Sequence, residues 1–214
     1  MTTDPARRRY ESPLRAAHAE QTRATVVAAA TRLFIERGWN GTGMRDVARE
    51  ARVSVETVYA NFGSKAELLK QALDVAVVGD AAPVPLADRD DFRRLGQGTA
   101  MERAQAAGQL LAAMRQRTAR LRRVLNQAAG SDPQLSQVLA DSLRTERESV
   151  CQGAVAIAQR PVPGEDVDAL SAILSSEVFL LLTEARGWSV PMYQSWVVRT
   201  LCLHLSLKET PDEA

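Results

Sequence analysis

Two cysteines, Cys151 and Cys202, and two histidines, His18 and His204, are all that 214 residues hold of the side chains most used in redox, metal and imidazole chemistry. Two cysteines make neither a disulfide framework nor a four-ligand zinc set. Cys202 and His204 stand two apart on an expected helix and do not face one another. Cys151 reads as a space-filler on an apolar helix face. No phosphate-binding glycine loop and no helical His–Glu pair is present. With no poised base or nucleophile, an enzyme is not expected, nor a catalytic residue, a metal or a cofactor. No run of 18 apolar residues exists, so no transmembrane helix is expected. Arg7, Arg8 and Arg9 are not followed by an apolar stretch, so the start does not read as a secretory signal and a cytoplasmic protein is the expectation. No segment alternates long enough to need a sheet, and there are no repeats.

What is there is a globular composition, 45% apolar, with 27 basic against 26 acidic residues. The balance divides unevenly. Residues 1–78 hold 12 basic and 9 acidic side chains, and residues 79–214 hold 15 and 17. A basic front permits a nucleic-acid partner there without proving one.

The helical period is clearest from Val26 through Ala29, Ala30, Leu33 and Phe34, which predicts a helix over about 24–37 closed by Gly38. Ser12-Pro13 is an earlier start signal. A second helix, about 44–51, buries Met44, Val47, Ala48 and Ala51. Ser54 caps a short third helix of about 54–60 with Val58 inward, and Asn61-Phe62-Gly63 breaks it. Ser64 and Glu67 form a capping box for a fourth helix over about 64–78. A linker with prolines and glycines covers 79–98 and leaves room for a short helix. The rest is expected as helices at about 99–115, 117–129, 133–159, 166–186 and 190–208.

Helices of six to eight residues are too short to be stable alone and need bracing by their neighbours. Two such helices joined by a tight turn are the helix-turn-helix arrangement, whose second member must be short and exposed to enter a major groove about 12 Å wide. Val55, Glu56, Ala60 and Asn61 have no core duty in this pattern, so they are free to face base edges.

The run Gly41-Thr-Gly-Met-Arg-Asp-Val-Ala-Arg-Glu-Ala-Arg-Val-Ser-Val-Glu-Thr-Val-Tyr-Ala-Asn-Phe-Gly-Ser-Lys-Ala-Glu-Leu-Leu69 resembles the DNA-binding domain of the TetR family of bacterial transcriptional regulators. Ala28-Ala-Ala-Thr-Arg-Leu-Phe-Ile-Glu-Arg-Gly38 resembles that family's first helix. The likeness covers about residues 22–75. The later run Leu182-Thr-Glu-Ala-Arg-Gly-Trp-Ser-Val-Pro-Met-Tyr-Gln-Ser-Trp196 resembles the end of the rear domain in many actinobacterial members. Two departures stand out. Arg52 replaces the usual turn glycine and must take positive φ at about 1–2 kcal/mol or alter the turn. Gly43 replaces a Ser or Thr cap, which leaves Asp46 as half of a capping box.

The resemblance implies an all-α chain: an N-terminal helix-turn-helix DNA-binding domain followed by a helical effector-binding and dimerisation bundle. The expected divisions are a flexible basic arm at 1–20, the DNA-binding domain at 21–78, the linker at 79–98 and the rear domain at 99–208. It assigns backbone-phosphate contacts to Thr57, Tyr59 and Lys65, a base or phosphate contact to Arg45, and operator preference to Val55, Glu56 and Asn61. These suit a thymine methyl, cytosine N4 and adenine respectively. It implies a homodimer on the last helices, for which the apolar residues Ile173, Leu174, Val178, Leu181, Leu182, Trp196, Leu201 and Leu205 are the candidates. Trp188, Tyr193 and Trp196 read as aromatic interface residues. The partners implied are double-stranded operator DNA and an unidentified small-molecule effector, with no membrane. Met101, Met114, Phe179 and Glu184 are conceivable pocket residues, although core or surface suits each of them. The function implied is a dimeric repressor released from a palindromic operator by its ligand. An activator of the same fold, or a helical scaffold without specific DNA binding, are the alternatives.

Overall fold

The computed structural model describes residues 13–79 and 86–207, and every regular element among them is helical. The basic run Arg7–Arg9 lies outside the described residues. Helix α1 spans Pro13–Arg37, α2 Met44–Ala51, α3 Val55–Phe62 and α4 Lys65–Val78. Short helical turns follow at Leu86–Asp88, Asp90–Arg93 (α5) and Arg94–Gly96. Then come α6 (Ala100–Ala129), α7 (Pro133–Ala158), α8 (Gly164–Ile173), α9 (Ser176–Leu180) and α10 (Val190–His204).

Helix α1 begins inside the stretch expected to be an arm, because proline fits a first helical turn where its missing N–H has no partner to lose. It carries the stripe Val26, Ala30, Leu33 and Phe34 into a core shared with Val47, Val58, Leu68 and Leu69. That core also takes Leu121, Val124 and Leu125 from α6 and Leu135 from α7. The front helices therefore do not close on themselves; they are completed by the far half of α6.

Helix α6 is one continuous rod of 30 residues, where two helices parted near 116 were expected. The polar run Arg115-Gln116-Arg117 reads as a surface break, but Arg115 is only 3% exposed and keeps the buried face in register. The expected helix over 166–186 is instead divided. Helix α8 stops at Ile173, the Ser175 hydroxyl caps α9 by accepting from the Val178 amide at 3.3 Å, and a π-helical turn follows over Leu181–Ala185. The carbonyl freed at Leu174 is taken by Arg115 Nε at 2.9 Å.

That contact belongs to a pattern. A helix end leaves four carbonyls without intrahelical donors, and a nearby cation is favoured there. Arg117 donates to Ala76 and Val77 at the end of α4 (2.9 and 3.1 Å). Arg103 meets Ile157 at the end of α7 (2.8 Å), Arg160 meets Leu205 after α10 (2.9 Å), and Arg23 meets Asn61 in α3 (3.1 Å). Arginines from neighbouring elements thus fasten the helices end to side. Helix α6 packs tightly on α10 at Gly108, where an added Cβ would lie 2.8 Å from Val198 Cγ2 and 3.2 Å from the Gln194 carbonyl.

Candidate nucleic-acid interface

The turn between α2 and α3 is made without glycine. Arg52 takes the left-handed conformation (φ 57°, ψ 39°), and its amide is shared by the Ala48 and Arg49 carbonyls. At the head of α2 the Gly43 amide donates to Asp46 Oδ2 at 3.1 Å, the half of the capping box that needs no side chain at the cap. The Ser64 hydroxyl accepts from the Glu67 amide at 3.1 Å, but the Glu67 carboxylate turns to Gln71 and Lys70 instead of closing the expected box.

Helix α3 runs two residues past its expected end. Phe62 is buried, and Gly63, at φ 68°, supplies the stop. Its inward arc is Val58 and Phe62; its outward arc is Glu56, Tyr59 and Ala60, with Tyr59 52% exposed. Glu56 and Tyr59 therefore stand where an external partner can reach them, as does the exposed Arg45 on α2. Three other residues expected to contact DNA also make contacts within the protein. Val55 is half-buried and packs against the core, since its helical angle lies next to Phe62. Thr57 is half-buried with its hydroxyl 3.0 Å from that of Ser54. Asn61 donates its side-chain amide back to the Thr57 carbonyl at 2.8 Å, so its carboxamide is engaged by its own helix.

Lys65 holds the loop before α2. Its ammonium donates to the carbonyls of Trp39 (2.9 Å) and Thr42 (3.1 Å) and sits 3.8 Å from the Trp39 ring centre. Burial pushes its pKa down, partly opposed by Asp132. Trp39 stacks on Phe34, and the buried Thr42 hydroxyl lies within 3.0 Å of both the Leu33 and Gly38 carbonyls. Arg23, which the helical pattern does not single out, lies over the Phe62 ring at 5.1 Å while bonding Asn61 and Gln71. One arginine among the four of α1 carries no periodic signal, so only the fold reveals its place.

Among the residues expected at a dimer interface, Leu174, Leu201 and Leu205 are 2, 3 and 1% exposed and belong to the protomer's own core. Tyr193 is fully buried too, edge-on to Phe179 at 4.9 Å. These side chains close the rear core because Tyr193, Val197, Leu201 and Leu205 fall on the inner face of α10. Ile173, Val178, Leu182 and Trp196 are half-buried, and Leu181 is 49% exposed. Met192 and Leu203 are the other large apolar side chains left open on this side.

A cavity of about 410 Å³ lies between α4, α6 and α7, with the turns from Leu86 to Leu95 and residues of α8 and α10 completing its wall. Its lining is mainly apolar, including Leu73, Val77, Leu111, Met114 and Ile157. Of the conceivable pocket residues only Met114 lines it. Met101 is 36% exposed, Phe179 packs in the aromatic cluster, and Glu184 bonds Arg120 and Arg123 at 2.8 Å each. Arg115, Arg122 and Glu146 also stand in the wall.

The family model described as "Bacterial regulatory proteins, tetR family" matches residues 26–72. An HTH-type transcriptional repressor of Mycobacterium tuberculosis, Rv3405c, is 39% identical over 74 residues, which cover 35% of this chain and 38% of that protein. The HTH-type transcriptional regulator TtgR of Pseudomonas putida is 41% identical over 56 residues, 26% of this chain and 27% of that one. The chain thus spans well under half the length of these curated relatives. Solved structures resemble the whole fold. A protein of Mesorhizobium loti assigned to the TetR family superposes with TM-score 0.63 at 19% identity, covering 88% of this chain and 96% of that one. A transcriptional regulator of Rhodococcus sp. RHA1 gives 0.61 at 18%, covering 86% and 96%. No helix among the described residues is long and apolar enough to cross a membrane. The segment 26–72, which holds the braced α2–α3 pair, thus matches the tetR family of bacterial regulatory proteins, and the helical architecture behind it is shared with these solved structures.

Proposed function

We propose that this chain is a cytoplasmic transcriptional regulator that binds a palindromic operator as a homodimer and is released by a small molecule held in the cavity between α4, α6 and α7. The observation that carries the reading is α3 itself. It is an eight-residue helix braced on its inner side by Val58 and Phe62, with Glu56, Tyr59 and Ala60 on its outer side. That is what entry into a major groove requires. Tyr59 and Thr57 grip phosphates; Arg45 and Glu56 read base edges. Val55 and Asn61 contribute to operator preference through what their packing leaves open, the Val55 methyl edge and the Asn61 side-chain carbonyl. The remaining donor of Lys65 adds a phosphate contact, and its other two secure the loop that positions α2.

Two copies side by side present two α3 helices to successive grooves, with Leu181, Met192, Trp196 and Leu203 contributing to the contact between protomers. Helix α4 links head to cavity: Lys70, Leu73, Asp74, Val77 and Val78 line the cavity, and Arg117 of α6 bonds its last carbonyls. A ligand pressing on α4 shifts the spacing of the heads, and it lowers DNA affinity by the difference in its own affinity for the two spacings. The test is fluorescence anisotropy on DNA from the gene's own upstream region over a range of salt. Tyr59→Phe and Thr57→Ala should weaken all sequences alike, whereas Glu56→Ala should relax preference at one symmetric base position. Binding indifferent to all three substitutions would remove α3 as the reading element.

A further inference from the structure

The cavity wall carries two charged groups of different character. Lys70, Asp74 and Asp141 are about half exposed, so water and salt screen them. Arg115, Glu146 and Arg122 are not: their side chains are 4, 19 and 11% exposed. Selection of a ligand's charge therefore falls to the buried group, where an unmatched charge is costly.

Its hydrogen bonds can be counted. Glu146 gives one carboxylate oxygen to Arg115 and the other to Arg122, the latter at 2.9 Å. Each Arg115 nitrogen is occupied, by the Leu174 carbonyl, the Ser176 hydroxyl (3.3 Å) and Glu146. Arg122 is different. Its Nη2 meets Glu146, but its Nη1 is buried and has no partner. The group thus holds two cations against one anion, each Glu146 oxygen already holds an arginine, and one guanidinium nitrogen, Arg122 Nη1, is left without an acceptor. A further acid whose charge acts on Arg122, Glu177, is exposed and is bound by Asn126. A small hollow of about 80 Å³, lined in part by Ser171 and Ser175, shares Arg122 and Glu146 with the large cavity. Water there could serve the free donor only as a neutral acceptor.

Resting on the proposal that the cavity holds the effector, we infer that this effector is an amphipathic monoanion: an acidic head paired with Arg122 and an apolar body lying along α4, α6 and α7. The cavity volume of about 410 Å³ sits within the range that encloses small organic ligands, roughly 300–1,000 Å³. Its lining away from the arginines, with Leu73, Leu111, Met114 and Ile157, offers a hydrocarbon body the surface it needs. A cationic ligand meets the opposite of what it requires, two arginines and a carboxylate that already pairs with both.

The test uses three probes with one tail, decanoate, decan-1-ol and decylamine, titrated into the full chain by calorimetry. Decanoate should bind about tenfold or more tightly than decan-1-ol, and decylamine most weakly, as a charge-assisted bond to a buried partner implies. Arg122→Met should weaken decanoate about tenfold and leave decan-1-ol within about threefold, so that alcohol binding reports an intact cavity. Glu146→Gln, which removes the competing carboxylate, should tighten decanoate. If decanoate fails to bind, if alcohol and acid bind alike, as they would were water alone serving Arg122, or if the amine is preferred, the inference falls. Operator release is read separately by anisotropy. Decanoate that binds without changing DNA affinity removes the release mechanism and leaves the head-group assignment standing.

Discussion

Replacing Lys65 with alanine tests whether the helix-turn-helix unit is held together as described. The ammonium makes two bonds to carbonyls, at 2.9 and 3.1 Å, and a contact with the Trp39 ring at 3.8 Å. Each charged bond at a half-buried site contributes about 1.5 kcal/mol, the low end of the range for such bonds. The ring contact adds about 0.5 kcal/mol. Against these, the variant regains about 1.5 kcal/mol of side-chain freedom that wild type gives up. The net loss is about 2 kcal/mol, which for a chain of this size lowers Tm by roughly 4–8 °C. The Trp39 carbonyl keeps the Thr42 amide as a partner at 3.3 Å, which guards against a larger loss. Differential scanning calorimetry of the full chain measures the change, and Lys65→Met, which keeps the apolar stem, should show most of it. A Tm within about 1 °C of wild type in both variants would mean that the loop before α2 does not depend on Lys65 and that the bracing argument is wrong.

Three further outcomes follow from the packing and the charges. Gly108→Ala should destabilise the chain by about 1–3 kcal/mol in urea unfolding, because the new Cβ meets Val198 and the Gln194 backbone where α6 packs on α10. Leu203→Glu, at a side chain 77% exposed, should convert the proposed dimer to monomer in sedimentation while the protomer stays folded; Leu201→Ala, in the core, should instead cost about 2–5 kcal/mol of folding stability. The Glu184 carboxyl is held below its ordinary value of 4.5 by Arg123 first and Arg120 second, so its contribution is full above that pH and fades as pH falls through the depressed folded value. Glu184→Gln should therefore lower stability at pH 7 by less than about 1 kcal/mol, the pair being exposed, with a difference from wild type that closes in acid thermal scans.

The front of the molecule was legible because its signals are local. Caps at Ser54 and Ser64, the stop at Gly63 and the stripe on α1 are each written within one turn, and Arg52 takes the positive φ that its turn demands. The side-chain roles within α3 were less legible. Asn61 looks free by position, but its amide bonds to a carbonyl four residues back, a choice that depends on what surrounds it. The second role of Lys65, holding the Trp39 and Thr42 carbonyls, has no local signal, because that loop lies more than twenty residues away. In the rear, buried arginines misled the periodic reading. Arg115 looks like surface and is core, and the break at Leu174 depends on its guanidinium arriving from 59 residues away. The leucines of α10 could not be divided between core and interface from spacing alone, since both faces carry them.

The most direct measurement is a footprint of the full chain on the gene's own upstream DNA, taken beside Tyr59→Ala and Glu56→Ala. Two symmetric protected half-sites should appear on one face of the duplex, centred about 34 Å or a multiple of it apart. Protection should be lost with Tyr59→Ala and altered in sequence preference with Glu56→Ala. Protection of a single asymmetric site, or a footprint that both substitutions leave unchanged, would contradict the claim that paired copies of α3 read the operator.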